Sequence, residues 1–194
     1  MYGHVVVDEA QELSEMQWHM VLRRCPSRSI TAVGDIDQVE ASHRHTSWAG
    51  AVNATLGERW TAARLTICYR TPREVMDLTA AVLEKAGSHN FPPRAVRSSG
   101  IAPWTRTATP AELRRRWAGG TVGVIAPAGR VAELRAVLSE VPVLTATEAK
   151  GLEWDATLIV DPRGITAEPR GWNGLYVALT RCTHELGQLD ISEA

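Results

Sequence analysis

The stretch His4-Val5-Val6-Val7-Asp8-Glu9-Ala10-Gln11 joins a β-branched run to two carboxylates and an amide. The three consecutive valines predict a short buried strand, because β-branched side chains pack well on a pleated sheet. Carboxylates directly after such a strand lie where open α/β sheets bind their ligands. In that position Asp8 can hold Mg²⁺ through water, and Glu9 can orient and deprotonate an attacking water. The structural alternative is an acidic helix start, which the helix dipole favours.

The same arrangement, a strand that ends in polar residues, recurs in the next part of the chain. A strand predicted over residues 29–33 runs into Gly34-Asp35-Ile36-Asp37-Gln38. A glutamine in this position can sense a γ-phosphate or position a water molecule. Taken alone, the segment is also a plausible turn.

A third predicted strand, residues 65–68, ends just before Tyr69-Arg70. An arginine between a strand end and a helix start points to the same sheet edge, and guanidinium is well suited to clamp a phosphate. The alternative is an ordinary surface arginine. Thr71-Pro72-Arg73-Glu74 combines an N-cap, a proline at N1 and a glutamate at N3, which predicts a helix over 72–85 that stops at Gly87.

The rest of the chain continues to alternate strands with helices. Ser14 opens a capping-box pattern, and Met16, Met20 and Val21 follow it at helical spacing. Residues 89–106 are predicted as a loop with one weak strand, and 163–171 as a second loop. Repeated β-then-α units indicate an α/β protein with a mostly parallel sheet covered on both faces. Further helices are predicted at 47–56, 131–140, 173–180 and after Thr109-Pro110-Ala111-Glu112, and further strands at 121–126, 143–146, 156–160 and 186–191.

Composition narrows the class of protein. With 21 Lys and Arg against 22 Asp and Glu, the net charge of −1 argues against a strongly basic nucleic-acid sleeve. No apolar run approaches the ~20 residues of a membrane span, and the N-terminus has no basic-then-apolar export signal. Three scattered cysteines suit a reducing compartment rather than a disulfide framework. Together these features predict a cytoplasmic protein without a membrane partner.

Two further segments complete an ordered set of five. Lys150-Gly151-Leu152-Glu153 precedes one predicted strand, and Val177-Ala178-Leu179-Thr180-Arg181 lies on the last predicted helix. Taken in order with Asp8-Glu9-Ala10-Gln11, Gly34–Gln38 and Tyr69-Arg70, they resemble the Walker B motif and motifs III to VI of superfamily 1 helicases of the UvrD/Rep type. The five motifs cover most of the chain, so the resemblance rests on their order along the sequence as well as on their individual residues.

The resemblance implies a RecA-like fold, a three-layer α/β/α arrangement of the P-loop NTPase superfamily, with ATP and Mg²⁺ as cofactors. It assigns residues 1–60 to the end of a first RecA-like domain and residues 61–194 to a second one, with ATP in the cleft between them. The roles it implies are Mg²⁺ binding for Asp8, water activation for Glu9, γ-phosphate contact for Gln38, arginine fingers for Arg70 and Arg181, ribose binding for Glu153, and nucleotide binding for Asp35 and Gly151.

The sequence departs from that family in one large respect, because it contains no Gly-x-x-x-x-Gly-Lys-Thr/Ser phosphate loop. In the family this loop lies upstream of the Asp-Glu strand. The chain therefore resembles the C-terminal part of a longer ATPase, and we expect the isolated fragment to bind ATP weakly and not to hydrolyse it.

The nucleic-acid elements also depart from the family. UvrD-type enzymes grip single-stranded DNA with an aromatic-Arg-Gly-Ala element, whereas this chain has Trp48-Ala49-Gly50-Ala51. Trp48 can stack on a base, or it can belong to the core. Motif V usually carries a histidine before its Lys-Gly, and Thr147 takes that place here. Trp48, Thr147 and Lys150 are thus the candidate nucleic-acid contacts. His43 with His45 is a possible metal pair, and Arg114-Arg115-Arg116 is either a phosphate contact or a solvated helix face.

Only about 75 residues separate Arg70 from Thr145, so the large insert of UvrD is absent or reduced. This spacing, together with the amino-acid sequence of residues 143–153 and 175–181, most resembles that of the HelD group. Members of this group release bacterial RNA polymerase from nucleic acid. Three interpretations follow: a DNA-dependent motor, an RNA polymerase-binding module, or a small nucleotide-binding protein complete in itself. The last would need the phosphate loop that is missing. Polarity, DNA or RNA preference and oligomeric state stay open.

Overall fold

The computed structural model describes residues 1–39, 45–108 and 120–191, and it divides into two compact units, Met1–Arg64 and Leu65–Ala194. Several predictions from the sequence fall outside the described residues. They concern His43, the helix start at 109–112 and the basic run 114–116.

The described residues of the first unit, 1–39 and 45–64, form two parallel strands and two α-helices. Strand β1 (Val5–Val7) pairs with β2 (Ile30–Ala32), so that the carboxyl ends of both strands lie side by side. Helix α1 (Glu15–Arg24) separates them, and α2 (Trp48–Leu56) follows. Short 3-10 turns, Ala10–Glu12 and Ile36–Gln38, begin three and four residues after the two strands end. Strand order in this unit thus places both predicted acidic segments at one edge.

The start of α1 forms as the sequence predicts. Ser14 Oγ accepts the backbone N–H of Gln17 at 3.3 Å, and Gln17 Oε1 accepts the backbone N–H of Ser14 at 2.8 Å. Each side chain therefore satisfies a backbone donor that the first turn leaves without a partner. The predicted capping box is confirmed.

The side of α1 that enters the core is not the methionine side. Met16 and Met20 are 68% and 59% exposed, whereas Trp18 is fully buried with Ala10, Ala51 and Val52. Trp18 is about 200° around the helix from both methionines, at 3.6 residues per turn. Helical spacing of apolar residues identified a stripe, but the bulkier tryptophan occupies the core. The expectation of a buried first strand is also wrong, since Val6 is 67% exposed.

The strand pairs in the described part of the second unit are all parallel. Strands β3 (Ile67–Cys68) and β4 (Arg94–Ala95) form one parallel pair. A five-stranded parallel sheet has the order β5-β9-β8-β6-β7. Its members are β5 (Trp104–Ala108), β6 (Val122–Ile125), β7 (Val143–Leu144), β8 (Trp154–Val160) and β9 (Cys182–Ile191).

Helices cover both faces of this sheet. Ile125, Ile159 and Leu186 pack into one core cluster with residues of α3 (Arg73–Lys85), α5 (Pro162–Ala167) and α6 (Trp172–Leu179). Alternate strand residues such as Leu158 pack into a second cluster with α4 (Ala128–Val137). Because successive strand residues point to opposite faces, the two clusters lie on opposite sides of the sheet. The predicted α/β class with a helix-flanked parallel sheet is confirmed.

Several element boundaries differ from the prediction. The segment 163–171, expected to be a loop, contains most of α5; there Asp161 accepts the N–H of Gly164 at 2.9 Å and Pro162 occupies the first turn. Six residues are too few to show a helical period. The region 89–106 contains β4 and most of β5 rather than one weak strand. Helix α4 begins three residues earlier than predicted, at Ala128.

The sequence predicts that Thr71 caps α3, and this prediction is wrong. Pro72 is the cap residue, and Thr71 is buried. The Thr71 hydroxyl instead donates to the carbonyl of Thr180 at 3.4 Å, so a distant helix end competes successfully for the capping side chain.

No helix in the described ranges is long and apolar enough to cross a membrane. All three cysteines are free thiols, and burial raises the pKa of Cys182 to about 12.

Candidate nucleotide site

In the first unit, the polar residues that follow β1 and β2 form one connected group. The amide of Gln11 donates to Glu9 Oε2 at 2.5 Å, and its Oε1 accepts the backbone N–H of Asp35 at 3.2 Å. Asp35 Oδ2 in turn accepts from Gln38 Nε2 at 2.9 Å. The carboxylate predicted to activate water is therefore connected through two side chains to the glutamine predicted to sense phosphate.

The backbone at Glu9 has an unusual conformation. Its φ of 49° and ψ of 38° lie in the left-handed region, which residues other than glycine rarely occupy. The Glu9 N–H donates to Asp8 Oδ1 at 2.8 Å, so this sharp turn orients the neighbouring carboxylate. Backbone strain of this kind concentrates at functional sites, where surrounding contacts hold it in place.

Asp8 fits the requirements of a magnesium site. It is exposed, and the Glu9 N–H holds its carboxylate in position. Mg²⁺ commonly binds through one or two carboxylates and takes its other ligands from water and substrate phosphates. Within the described ranges, no group of three or more His, Cys, Asp or Glu residues could form an all-protein metal cage. Asp8 would thus hold the ion together with nucleotide oxygens.

In the second unit, Arg70 and Glu153 approach each other. Arg70 Nη1 lies 3.6 Å from Glu153 Oε2, and both side chains are partly exposed. Arg70 follows β3, but Glu153 directly precedes β8. The site residues of this unit do not gather at the carboxyl edge of the five-stranded sheet, because Glu153 lies at the amino end of its strand. Exposed ion pairs of this kind contribute about 0–1 kcal/mol, so both groups can exchange partners.

The turn between β7 and β8 is stabilised by Glu148. Its carboxylate accepts the backbone N–H of Thr145 at 2.8 Å and the Thr145 hydroxyl at 3.1 Å. The backbone bond from Thr145 is the main cause that lowers the pKa of Glu148, and Arg135 adds to it. Gly151 closes the turn with a φ of 77°, which favours glycine, and a Cβ there would meet nothing within 4 Å. Thr147 is exposed on this turn, and Lys150 is half-buried.

Arg181 is buried at the end of α6, with only 2% of its surface exposed. Its Nε donates to the carbonyl of Val177 at 3.1 Å, and Nη1 donates to the carbonyl of Leu152 at 3.4 Å. Nη2 also donates to the hydroxyl of Thr180 at 3.1 Å. A cation at a helix C-terminus satisfies carbonyls that lack a partner within the helix. In this conformation Arg181 ties the end of α6 to the turn that carries Glu153.

A residue that the sequence analysis did not single out, Arg97, supports the turn that carries Arg70. The Arg97 guanidinium donates to three backbone carbonyls, those of Tyr69, Arg70 and Thr183. The Arg97 carbonyl also accepts the N–H of Arg73 at 2.9 Å. No local sequence signal marks Arg97, since its partners lie up to 86 residues away.

Glu74 secures the same region from the helix side. Its carboxylate accepts from the Ser98 hydroxyl and from the N–H groups of Ser99 and Gly100 at 3.3 and 3.1 Å. These bonds, the one from Ser98 foremost, lower the pKa of Glu74 to about 2. The glutamate expected at N3 of α3 therefore fastens the segment that contains Arg97.

Comparison with known families agrees with this architecture. Residues 2–189 match the model of the viral superfamily 1 RNA helicase core domain. The chain belongs to this family. No curated protein matches the chain significantly.

Solved helicase structures show the fold. The helicase of an Arterivirus, nonstructural protein 10, matches 97% of this helicase core chain at a TM-score of 0.63 and 17% identity, over 39% of its own length. The structure of an Arterivirus nonstructural protein 10 in complex with DNA matches 97% of this chain, at a TM-score of 0.57 and 16% sequence identity, over 40% of its own length. The PRRSV helicase matches 95% of this chain, at a TM-score of 0.58 and 16% sequence identity, over 34% of its own length. The chain thus spans well under half the length of these helicases.

The candidate nucleic-acid contacts of the helicase core chain are divided between its two units. Trp48 is half-buried and packs against the core cluster of the first unit. Thr147 and Lys150 belong to the second unit, on the turn before β8. Ala49, predicted from the resemblance to stand where UvrD-type enzymes have an arginine, is exposed at the start of α2. The packing of Trp48 agrees with the core alternative, and its partly exposed side chain leaves base stacking as a prediction.

The described tryptophans of the second unit have structural contacts. Trp154 packs over Gly123, and Trp104 packs over Gly187, where a Cβ would overlap the indole in each case. Trp172 lies under the Lys85 ammonium, 4.6 Å from the ring centroid. These contacts agree with the core packing that is the default for tryptophan.

Proposed function

We propose that this chain is part of an ATP-dependent superfamily 1 DNA helicase or translocase. The observation that carries the proposal is the bonded path Glu9–Gln11–Asp35–Gln38, which joins the two strand ends of the first unit. Such a path suits hydrolysis, because a water-activating carboxylate and a phosphate-sensing amide must act on the same γ-phosphate. The DNA complex of the arterivirus helicase supports a nucleic-acid substrate.

In this proposal Asp8 binds Mg²⁺, Glu9 activates water and Gln38 contacts the γ-phosphate. Asp35 positions Gln38, to which it is bonded. Arg70 and Arg181 stabilise the charge on the transferred phosphate, and Gly151 and Glu153 bind the nucleotide. Glu153 already contacts Arg70, whereas Arg181 must first release the carbonyls of Val177 and Leu152 to reach a phosphate.

The proposed domain assignment is residues 1–60 for a first RecA-like domain and 61–194 for a second. Because the sequence lacks a Gly-Lys-Thr/Ser phosphate loop, this loop must come from another part of the protein. The 194-residue chain alone is therefore expected to be inactive. A cytoplasmic location, suggested by the three free thiols, belongs to the same proposal.

The decisive experiment is ATP turnover by the complete gene product that contains this chain, alone, with single-stranded DNA and with RNA polymerase. Glu9→Gln keeps the size of the side chain but removes its negative charge, so turnover should fall on the order of 10³-fold or more in every condition. Turnover retained by Glu9→Gln would contradict the proposed role of Glu9. Strong stimulation of the wild type by DNA would support a translocating motor.

The second candidate function is a HelD-like module that remodels RNA polymerase without unwinding DNA. The observation that favours it is the exposed Ala49 in the place of the arginine that grips DNA in UvrD-type enzymes. The same experiment separates the two candidates, because turnover that ignores DNA but responds to RNA polymerase would support the remodelling factor.

A further inference from the structure

Gln11 uses both ends of its side-chain amide in a fully buried position. Its Nε2 donates to Glu9 Oε2 at 2.5 Å, and its Oε1 accepts the Asp35 N–H at 3.2 Å. None of its surface is exposed. A buried amide with bonds at both ends has a single orientation, because a flipped amide would place a donor against the Asp35 N–H.

Gly34 leaves the space that this amide occupies. A Cβ at Gly34 would overlap Gln11 Oε1 and would lie 3.1 Å from Gln11 Cδ. The next neighbour, the backbone nitrogen of Ala10, would be 3.2 Å away. The backbone of Gly34 does not have a positive φ, so conformation alone would permit an alanine. The glycine is therefore required mainly by the side chain of Gln11.

We propose that Gln11 is a positioning residue for Glu9, and that it couples the Glu9 carboxylate to the loop Gly34–Gln38. This inference rests on the proposed function, in which Glu9 activates the attacking water. Glu9 lies on a turn with a left-handed backbone, and the Gln11 amide donates a hydrogen bond to its carboxylate. Any displacement of Asp35 pulls on the other end of the same amide.

The coupling has a direct consequence for the catalytic cycle. Gln38 is bonded to Asp35, so movement of Gln38 toward a γ-phosphate is transmitted through Asp35 and Gln11 to Glu9. The position of the Glu9 carboxylate therefore depends on the position of the phosphate-sensing glutamine. Small errors in the position of a catalytic group lower the rate strongly while leaving substrate binding intact.

The first test compares Gln11→Met with Gln17→Met in the complete gene product. Gln11→Met retains the length of the side chain but removes both polar contacts, and kcat should fall on the order of 10- to 100-fold with little change in the KM for ATP. Gln17 is exposed in the capping box of α1, so Gln17→Met should keep the wild-type kcat. Thermal unfolding of both variants shows whether the protein is folded.

The second test is a double-mutant cycle between Gly34 and Gln11. Gly34→Ala should lower kcat about as much as Gln11→Ala, because the new methyl group displaces the amide. In the Gln11→Ala background the methyl group no longer overlaps the amide, and the close neighbour that stays is the Ala10 backbone nitrogen at 3.2 Å. Adding Gly34→Ala should then cost less than about 3-fold more. A purely structural glycine would instead give additive losses, which would overturn the coupling.

The outcomes distinguish this inference from the proposed function. If Glu9→Gln abolishes turnover while folded Gln11→Met keeps the wild-type kcat, the positioning role is wrong and the motor function stands. If Glu9→Gln retains turnover, the proposed role of Glu9 fails, and the positioning role fails with it.

Discussion

At the scale of single residues, the two candidate arginine fingers have opposite surroundings. Arg70 is partly exposed and pairs only at 3.6 Å with an exposed glutamate, whereas Arg181 is buried with its donors on backbone carbonyls. The same residue type in two motifs therefore has a partly exposed guanidinium in one case and a buried, bonded guanidinium in the other.

This contrast predicts different results for Arg70→Ala and Arg181→Ala. Arg70→Ala should change the free energy of unfolding by less than about 1 kcal/mol but lower ATP turnover on the order of 10³-fold. Arg181→Ala should cost about 2 kcal/mol or more, because the carbonyls of Val177 and Leu152 lose the donors of a buried guanidinium. Denaturant unfolding and turnover, measured on the same preparations, check both. An Arg181→Ala protein as stable as the wild type would contradict the buried bond set.

At the scale of elements, the turn after β3 depends on a segment that follows it by almost thirty residues. Arg97 supports the carbonyls of Tyr69 and Arg70, and Glu74 at the start of α3 fastens the residues just beyond Arg97. The position of Arg70 is therefore a property of the β3–α3–β4 unit as a whole.

This arrangement predicts a pH-dependent contribution from Glu74. Its pKa in the folded protein is about 2, below the ordinary 4.5, so its stabilising effect is complete above pH 4.5. As the pH falls from 4.5 toward 2, the carboxylate becomes protonated and the contribution is lost. Glu74→Gln should therefore destabilise the protein at pH 7, and the difference from the wild type should shrink below pH 4.5.

A matched control lies on the same helix. Glu84 is exposed on α3, and Glu84→Gln should leave stability nearly unchanged at pH 7. Thermal unfolding of both variants between pH 7 and pH 3 measures the effect. A Glu74→Gln difference that stays constant over this range would show that the carboxylate bonds do not contribute.

The whole molecule consists of two units with very different cores. In the second unit, core clusters lie on both faces of a five-stranded sheet. In the first, four fully or nearly fully buried residues, Ala10, Trp18, Ala51 and Val52, pack beside a two-stranded sheet. A two-stranded sheet with an exposed valine has little apolar burial to offset the entropy of folding.

The difference predicts how separate segments behave. Residues 65–194 expressed alone should unfold cooperatively on heating, and residues 1–64 alone should show no cooperative transition. Circular dichroism and calorimetry of the two segments test this expectation. Cooperative unfolding of 1–64 would mean that its small core is sufficient for independent folding.

The amino-acid sequence by itself determined the α/β class, the parallel strand pattern and the capping box of α1. It also placed the polar segments that follow β1, β2 and β3. These features, such as β-branched runs, helix caps and strand ends, depend on residues within a few positions of each other. Short-range patterns of this kind can be recognised from the sequence alone. The family resemblance came from the order of five such local segments.

The tertiary structure alone decided which side chains meet. Thr71 bonds to Thr180 across 109 positions, and Gln11 bonds to Asp35 across 24. It also buried Trp18 in place of the methionine stripe and engaged Arg181 inside the second unit. Such pairings depend on the competition among distant groups for one partner, and no local pattern encodes the outcome of that competition. For this reason Gln11 and Arg97 emerge as supports of the site only from the folded chain.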